Sequence, residues 1–352
     1  DTLARLGGDE FVMLLTTLHD LDEAADVAER VLFEMKLPFN IRDREVRLGA
    51  SIGIAGYPIH GEDSDTLLKH ADFAMYHAKE NGRDNYQFYT ANIHQQASKR
   101  YQMEHELHHA IEDDELEVHY QPQYDIATGK IVGLEALSRW NSKKFGTVRP
   151  DEFISLAEET GLIIPLGRSI FNKVVNDIIA WKKMDIDPPA IAINLSPKQI
   201  YSDETHVMIK QALQGGALNG TELEFEITES TLMDNPQLAE VKIREIKSLG
   251  TRIALDDFGT GYSYLAYLKR FPVDVLKIDR SFISDLVEDA DDREIIETII
   301  GMAKNLGLSV IAEGIEKQAQ ADFLLTHGCH IAQGYHYSKP LSAEDCTSLL
   351  KQ

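Results

Sequence analysis

The chain has 352 residues, long enough for two domains, and 43% hydrophobic residues supply full-sized cores. Its 58 acidic against 35 basic residues leave a net charge of −23. That disfavours broad binding to nucleic-acid polymers or anionic membranes, but leaves an anionic substrate open where metal ions reverse the sign locally.

Only two cysteines occur, Cys329 and Cys346, which fits a reducing, cytoplasmic setting better than a disulfide framework. No apolar run approaches the roughly 18 to 20 residues of a membrane helix, and no signal peptide is visible. The chain opens at Asp1 without a methionine, so the expectation is a longer protein. A sensor, and any tether to the membrane face, would precede Asp1.

In chain order, Glu10 to Leu15 reads as a strand and Leu21 to Met35 as a helix. Val46 to Tyr57 is β-rich, Ser64 to Lys79 is helical, and Tyr86 to Tyr89 is strand-like. Residues 92–111, polar and free of Gly and Pro, read as a connecting helix between a first domain at 1–91 and a second at 112–352. Eight short apolar strands follow: Leu116 to Gln121, Ile131 to Leu137, Ala190 to Leu195, Leu223 to Thr228, Arg252 to Leu255, Val275 to Ile278, Ser309 to Ala312 and His330 to Gln333. Amphipathic helices separate most of them, for example Phe153 to Glu159, Ile170 to Lys182, Gln237 to Leu249, Arg293 to Leu306 and Lys317 to Thr326. The alternation predicts an α/β fold, a (β/α)8 TIM-like barrel, with an open doubly wound sheet as the rival. A short turn around Ala127 to Lys130 joins the first two strands as a hairpin, so one barrel strand should run antiparallel.

The predicted strand ends carry polar chemistry in succession. Glu135 closes the second and Asn194 the third; the fourth carries Glu226, with Glu229 one turn on. Asp256 and Asp257 close the fifth, Lys277 and Asp279 the sixth, Glu313 and Glu316 the seventh, and Gln333 the last. Each acid alone is most simply a solvated loop residue, and Lys277 could be a buried ion-pair partner of Asp279 or Glu313. Together they converge on the mouth where barrels place their chemistry. Oxygen donors without His or Cys suit Mg²⁺ or Mn²⁺. Adjacent Asp256 and Asp257 repel unless cations lie between them, and the pair could bridge two ions set up for phosphoryl displacement.

The stretches GLEALSRW (133–140), INLSP (193–197), FEITES (225–230), DDFGTGYS (256–263), LKIDRSF (276–282), IAEGIE (311–316) and QGYHYSKP (333–340) resemble the EAL-domain family of cyclic di-GMP phosphodiesterases. The resemblance implies a two-metal hydrolase opening cyclic di-GMP to pGpG. Glu135, Asn194, Glu226 and Asp256 would hold one Mg²⁺ or Mn²⁺, and Asp256 with Asp257 the other. It makes Glu135, Glu313 and Lys277 the catalytic set and Glu229 the anchor of loop 258–263. It assigns substrate contacts to Gln121, Arg139, Asp279, Glu316 and Gln333, and it implies a homodimer. Arg139 suits a phosphate independently, through its guanidinium fork.

RLGGDEF (5–11) and AKENGRDN (78–85) resemble the C-terminal half of the GGDEF family of diguanylate cyclases, an α+β domain. The resemblance makes GGDEF a hairpin and offers Gly7, Gly8, Asp9, Glu10, Lys79 and Arg83 to GTP–Mg²⁺. Lys79 and Arg83 are expected one helical turn apart. The family's remaining metal and guanine contacts would lie before Asp1. A bifunctional cyclase and esterase, or a silent cyclic di-GMP receptor, are the alternatives. HELHH (105–109) matches the zinc-peptidase pattern HExxH, but lies in the polar connecting helix and reads as a chance match.

Overall fold

The computed structural model describes residues 1–41, 44–259, 270–286 and 289–351. The chain divides into two compact units, Asp1–Met103 and Glu104–Gln352. The division falls inside the helix Ala91–Glu112.

In the first unit, β1 (Thr2–Gly7) and β2 (Glu10–Leu14) form an antiparallel hairpin in the register Thr2↔Leu14 to Gly7↔Glu10. Gly8 takes the turn at φ 53°, a conformation open to glycine at no steric cost. The sequence pattern left β1 unassigned. It also read as one stretch what are two short strands, β4 (Arg44–Val46), paired with β3 (Phe39–Ile41), and β5 (Ile52–Ile54), parallel to β6 (Tyr86–Phe88). The helix Glu23–Lys36 buries Ala24, Ala28 and Leu32, one residue per turn. Asp63 caps the helix Ser64–Glu80 by accepting from Thr66 N at 2.8 Å. That helix ends at Glu80. Arg83, with φ 56°, lies in the turn beyond it, and Asn85 donates to the carbonyls of Ala78, Asn81 and Arg83. Lys79 and Arg83 therefore do not share a helical turn, because Gly82 and the Asn85 cap stop the helix between them.

The second unit is the barrel. Eight strands close it: β7 (Leu116–Asp125), β8 (Ile131–Ser142), β10 (Ala190–Asn194), β11 (Leu223–Thr228), β12 (Arg252–Phe258), β13 (Val275–Ile278), β14 (Ser309–Ala312) and β15 (Ile331–Ala332). Strand β7 runs antiparallel to both neighbours, β8 and β15, and the remaining neighbours are parallel. The reason is the hairpin: Asp125 accepts from Thr128 N at 2.7 Å, and Gly129 at φ 67° completes a turn too short for a parallel crossover. Two short strands, β9 (Gly146–Val148) and β16 (Leu341–Ser342), add to β8 and β7.

Helices cover the outside. Ile163–Lys183 buries Ile163, Leu166, Ile170, Phe171, Val174, Ile178 and Trp181, the stripe expected of a helix packed on a sheet. It starts seven residues before the expected Ile170, because Gly161 at φ 83° ends the preceding helix, Pro150–Thr160, just ahead of it. Inside the barrel, Ala254, Val275 and Ile311 are buried against one another, with Ile331 beside them.

Candidate active site

Residues two apart on a strand share a face, so the barrel interior fills in layers. Glu224 and Arg252 meet at 3.3 Å on the layer nearest the parallel strands' starts. Ala254, Val275, Ile311 and Ile331 form an apolar layer above. Two residues further along, Asp256 follows Ala254, Lys277 follows Val275, Glu313 follows Ile311 and Gln333 follows Ile331. Glu226 follows Glu224, and Glu135 joins from β8. Glu135 sits in mid-strand rather than at a strand end, because β8 continues to Ser142 through its long pairing with β7.

The four carboxylates, Glu135, Glu226, Asp256 and Glu313, converge on a single ammonium. Lys277 Nζ lies 2.6 Å from Glu313, 2.7 Å from Glu226, 3.4 Å from Asp256 and 3.6 Å from Glu135. Of the two ion-pair partners foreseen for Lys277, Glu313 is one of the four. Lys277 is fully buried, and among the described residues the carboxylates are its ion-pair partners above the apolar layer. The contacts are close but poorly aligned: neither oxygen of Glu226, nor Nζ itself, makes a hydrogen bond of proper geometry among the described residues. Asn194 Nδ2 donates to Glu135 Oε1 at 3.0 Å.

The electrostatics follow from too many acids around one cation. Burial, and then the neighbouring Glu135, push the Glu226 carboxyl well above the carboxylate range, only partly offset by Lys277. Burial raises Glu313 to about 8. Burial also opposes ionisation of Glu135, but Lys277 with the donors Gln333 and Asn194 outweighs it and holds that carboxyl low. Lys277 is raised well above its usual value, burial being overcome by Glu135, Glu226, Glu313 and Asp256.

The adjacent acids are reconciled by a bulge. Strands β12 and β13 pair at Leu255↔Leu276 and next at Phe258↔Ile278, three steps against two. The extra residue breaks the alternation that would send neighbouring side chains to opposite faces. Asp257 takes φ 55°, a left-handed conformation that Asp tolerates better than most residues, and its N–H donates to Asp256 Oδ1 at 3.0 Å. Burial, then Asp256 and Asp279, raise the Asp257 carboxyl.

The remaining expected residues are placed as follows. Gln333 Nε2 donates to Glu135 Oε2 and, at 3.1 Å, to Gln121 Oε1, while Gln121 Nε2 donates to Ser338 O at 3.1 Å. Arg139 is half-buried, donates to Ser138 O at 2.9 Å, and is lowered by burial against the opposing pull of Tyr335 and Glu135. Asp279 caps the helix Arg280–Ser284 through Ser281 N, and Glu316 is exposed with its N–H bound to Gln320. Glu229 opens the helix Glu229–Asp234, and its buried Oε2 makes no hydrogen bond among the described residues. Of the loop it was expected to anchor, residues 260–263 lie outside the described residues. In the first unit, Gly7, Gly8, Asp9 and Glu10 form the exposed hairpin turn. Gln123 was missed, although its position two residues from Gln121 puts it on the same face of β7.

The connecting-helix histidines form a separate group. His105 and His109 share a face with ring centroids 4.5 Å apart, and His108, His109 and Glu112 bring three exposed ligand atoms within 4.8 Å. Glu106, the acid of HELHH, instead reaches Lys144 at 3.8 Å. A water-accessible carboxylate needs no counter-ion, whereas Glu135, Glu226, Asp256 and Glu313 crowd around one ammonium with little water to screen them. On that ground the barrel cluster is better suited to hold a metal.

Comparison with known proteins agrees with this geometry. The family model for the EAL domain matches residues 104–340, and that for the diguanylate cyclase GGDEF domain matches residues 1–85. The bifunctional diguanylate cyclase/cyclic di-GMP phosphodiesterase MucR of Pseudomonas aeruginosa is 40% identical over 98% of this chain and 50% of its own. The cyclic di-GMP phosphodiesterase PdeR of Escherichia coli is 39% identical over 97% of this chain and 51% of its own. The chain thus spans about half the length of these curated relatives. A solved structure described as the PaMucR phosphodiesterase in complex with c-di-GMP superposes with a TM-score of 0.67 at 38% identity, covering 70% of this chain and 99% of that one. With its acids gathered inside a barrel in which β7 alone runs backwards, the chain belongs to the EAL domain family, preceded by a GGDEF match.

Proposed function

We propose that the barrel is a metal-dependent phosphodiesterase that opens cyclic di-GMP to linear pGpG. The observation that carries this is the cluster of Glu135, Glu226, Asp256 and Glu313 around the buried Lys277, with both oxygens of Glu226 lacking hydrogen bonds among the described residues. So many acids cannot all ionise beside one ammonium unless further cations join them. Hard oxygen donors suit Mg²⁺ or Mn²⁺, with Glu135, Asn194, Glu226, Asp256 and Asp257 as ligands. Such ions, when bound, acidify water and neutralise charge on a phosphoryl group.

The chain's own groups supply the rest. Asn194 and Gln333 hold Glu135 in one orientation by donating to its two oxygens. Lys277, held by Glu313, presents a charged donor to the attacking water or to a phosphate oxygen. Water adds to phosphorus, one P–O3′ bond breaks, and the leaving oxygen takes up a proton. Arg139, Gln121, Asp279, Glu316 and Gln333 would receive the dinucleotide, and Glu229 would anchor the loop after Asp257.

The relatives' names support the substrate: MucR and PdeR are both cyclic di-GMP phosphodiesterases. We place residues 1–91 in the GGDEF part, 92–111 in the connecting helix and 112–352 in the esterase. The GGDEF part would regulate the barrel, with GTP–Mg²⁺ at Gly7, Gly8, Asp9, Glu10, Lys79 and Arg83. MucR's bifunctional name favours a second reading, a cyclase in the longer protein. The setting is a cytoplasmic homodimer. Incubating the chain with cyclic di-GMP and Mg²⁺ or Mn²⁺ should yield pGpG. Binding without turnover would instead make it a receptor, and GTP consumption by a longer chain would establish the cyclase.

A further inference from the structure

Gln123 is 4% exposed inside the barrel, with a neighbour on each side. On β15 the register Ala332↔Tyr124 sets Gln333 beside it, and Gln123 Nε2 donates to Gln333 Oε1 at 3.1 Å. On β8 its direct partner is Gly133. A Cβ at Gly133 would fall 2.2 Å from Gln123 Oε1 and 3.1 Å from its Cδ, so the absent side chain is the space the glutamine occupies.

The consequence is directional. A primary amide has one accepting and one donating end. Gln123 takes up the accepting end of Gln333, and the NH2 faces the other way, where it donates to Gln121 Oε1 and Glu135 Oε2. Flipped, Gln333 would turn its oxygen toward the Glu135 carboxylate, two acceptors face to face in a buried setting. We infer that Gln123, seated in the space left by Gly133, is a positioning residue of the barrel site: it fixes the Gln333 amide and, through it, the orientation of the Glu135 carboxylate. This rests on reading the carboxylate cluster as the metal site. It also gives the glycine of GLEAL a task, since Gly133 and Glu135 share a face of β8.

The test compares Gln123→Met, which keeps the volume but removes the donor, with Gln123→Ala and Gly133→Ala, singly and combined. Calorimetric titration of the metal-free chain with Mn²⁺ needs no turnover. Groups bonded directly to metal ligands are typically worth about 10- to 100-fold in affinity; Gln123 acts one bond further out, through Gln333, so a loss near the lower end, about 10-fold, is expected for Gln123→Met with the fold retained. Gly133→Ala should weaken binding alone but add little to Gln123→Ala, because the atoms it would strike are gone. Unchanged Mn²⁺ affinity in Gln123→Met, or additive losses in the pair, would overturn the assignment. If the unsubstituted chain takes up no Mn²⁺, the metal reading fails, and the Gln333 side-chain NH2 signals in NMR decide the positioning role on their own. A slowly exchanging pair that Gln123→Met abolishes upholds it; a pair that is unaffected refutes it.

Discussion

Lys277→Met removes the one ammonium from among four carboxylates and leaves a side chain of similar length in the same channel. The ion pairs it breaks, at 2.6, 2.7, 3.4 and 3.6 Å, are each several kcal/mol in gross Coulomb terms, but the ammonium's own desolvation offsets much of that. Breaking a buried ion cluster from one side costs about 3 to 5 kcal/mol, because charge is left buried without a counter-ion. For a unit of this size each kcal/mol moves the melting temperature by roughly 2 to 4 °C, so the metal-free barrel should melt about 6 to 20 °C lower.

The loss has a definite pH dependence. A carboxyl whose folded pKa is raised binds more protons folded than unfolded, so its stabilisation is full below the unfolded pKa and lost as pH rises through the folded one. For Glu313 that window runs from 4.5 to about 8, and without Lys277 the folded value moves further up. The deficit should therefore be larger at pH 8 than at pH 6. Thermal unfolding in EDTA at both pH values reads it, and adding Mn²⁺ should raise the variant more than the parent. Equal melting points in EDTA at pH 8 would refute the convergence on Nζ.

Other outcomes follow from the same geometry. In the parent, Mn²⁺ affinity should climb as pH rises, because Glu226, whose carboxyl burial holds well above the usual carboxylate range, must release its proton to bind the ion; a flat calorimetric profile would count against the ligand set. Glu135→Gln keeps the shape but not the charge and should abolish turnover and weaken Mn²⁺ at least about 100-fold, so near-normal hydrolysis would remove Glu135 from the ligands. Calcium should inhibit in the Mg²⁺ assay, since its larger and looser coordination misfits a site built for octahedral ions. Gly334→Ala would place a Cβ 2.2 Å from the backbone N and O of Ile315, and should destabilise the barrel by about 1 to 3 kcal/mol in a denaturant titration.

Much of this protein was legible in its residues. Runs such as Leu223–Thr228 and Val275–Ile278 are strands at the expected bounds, because a short strand buried on both faces has no competing pattern. The short turn at Ala127 to Lys130 was enough to predict the reversed strand, since a parallel crossover needs more chain. The polar ends of successive strands pointed to a common mouth through the barrel rule alone.

What the residues could not say was set by pairing. The length of β8, and so the mid-strand position of Glu135, depends on its partner β7. Arg83 lies outside the helical turn of Lys79 because Gly82 and the Asn85 cap end the helix at Glu80, and the cap is visible only once folded. The dipeptide Asp256–Asp257 announced a problem in one dimension; its resolution is a bulge that exists only where β12 meets β13. Gln123 and Gly133 likewise look ordinary in the chain, and acquire meaning when the register sets a missing side chain against an amide. Residue type and spacing determined which chemistry is present. Strand register, which couples residues far apart in sequence, decided which atoms of it face one another.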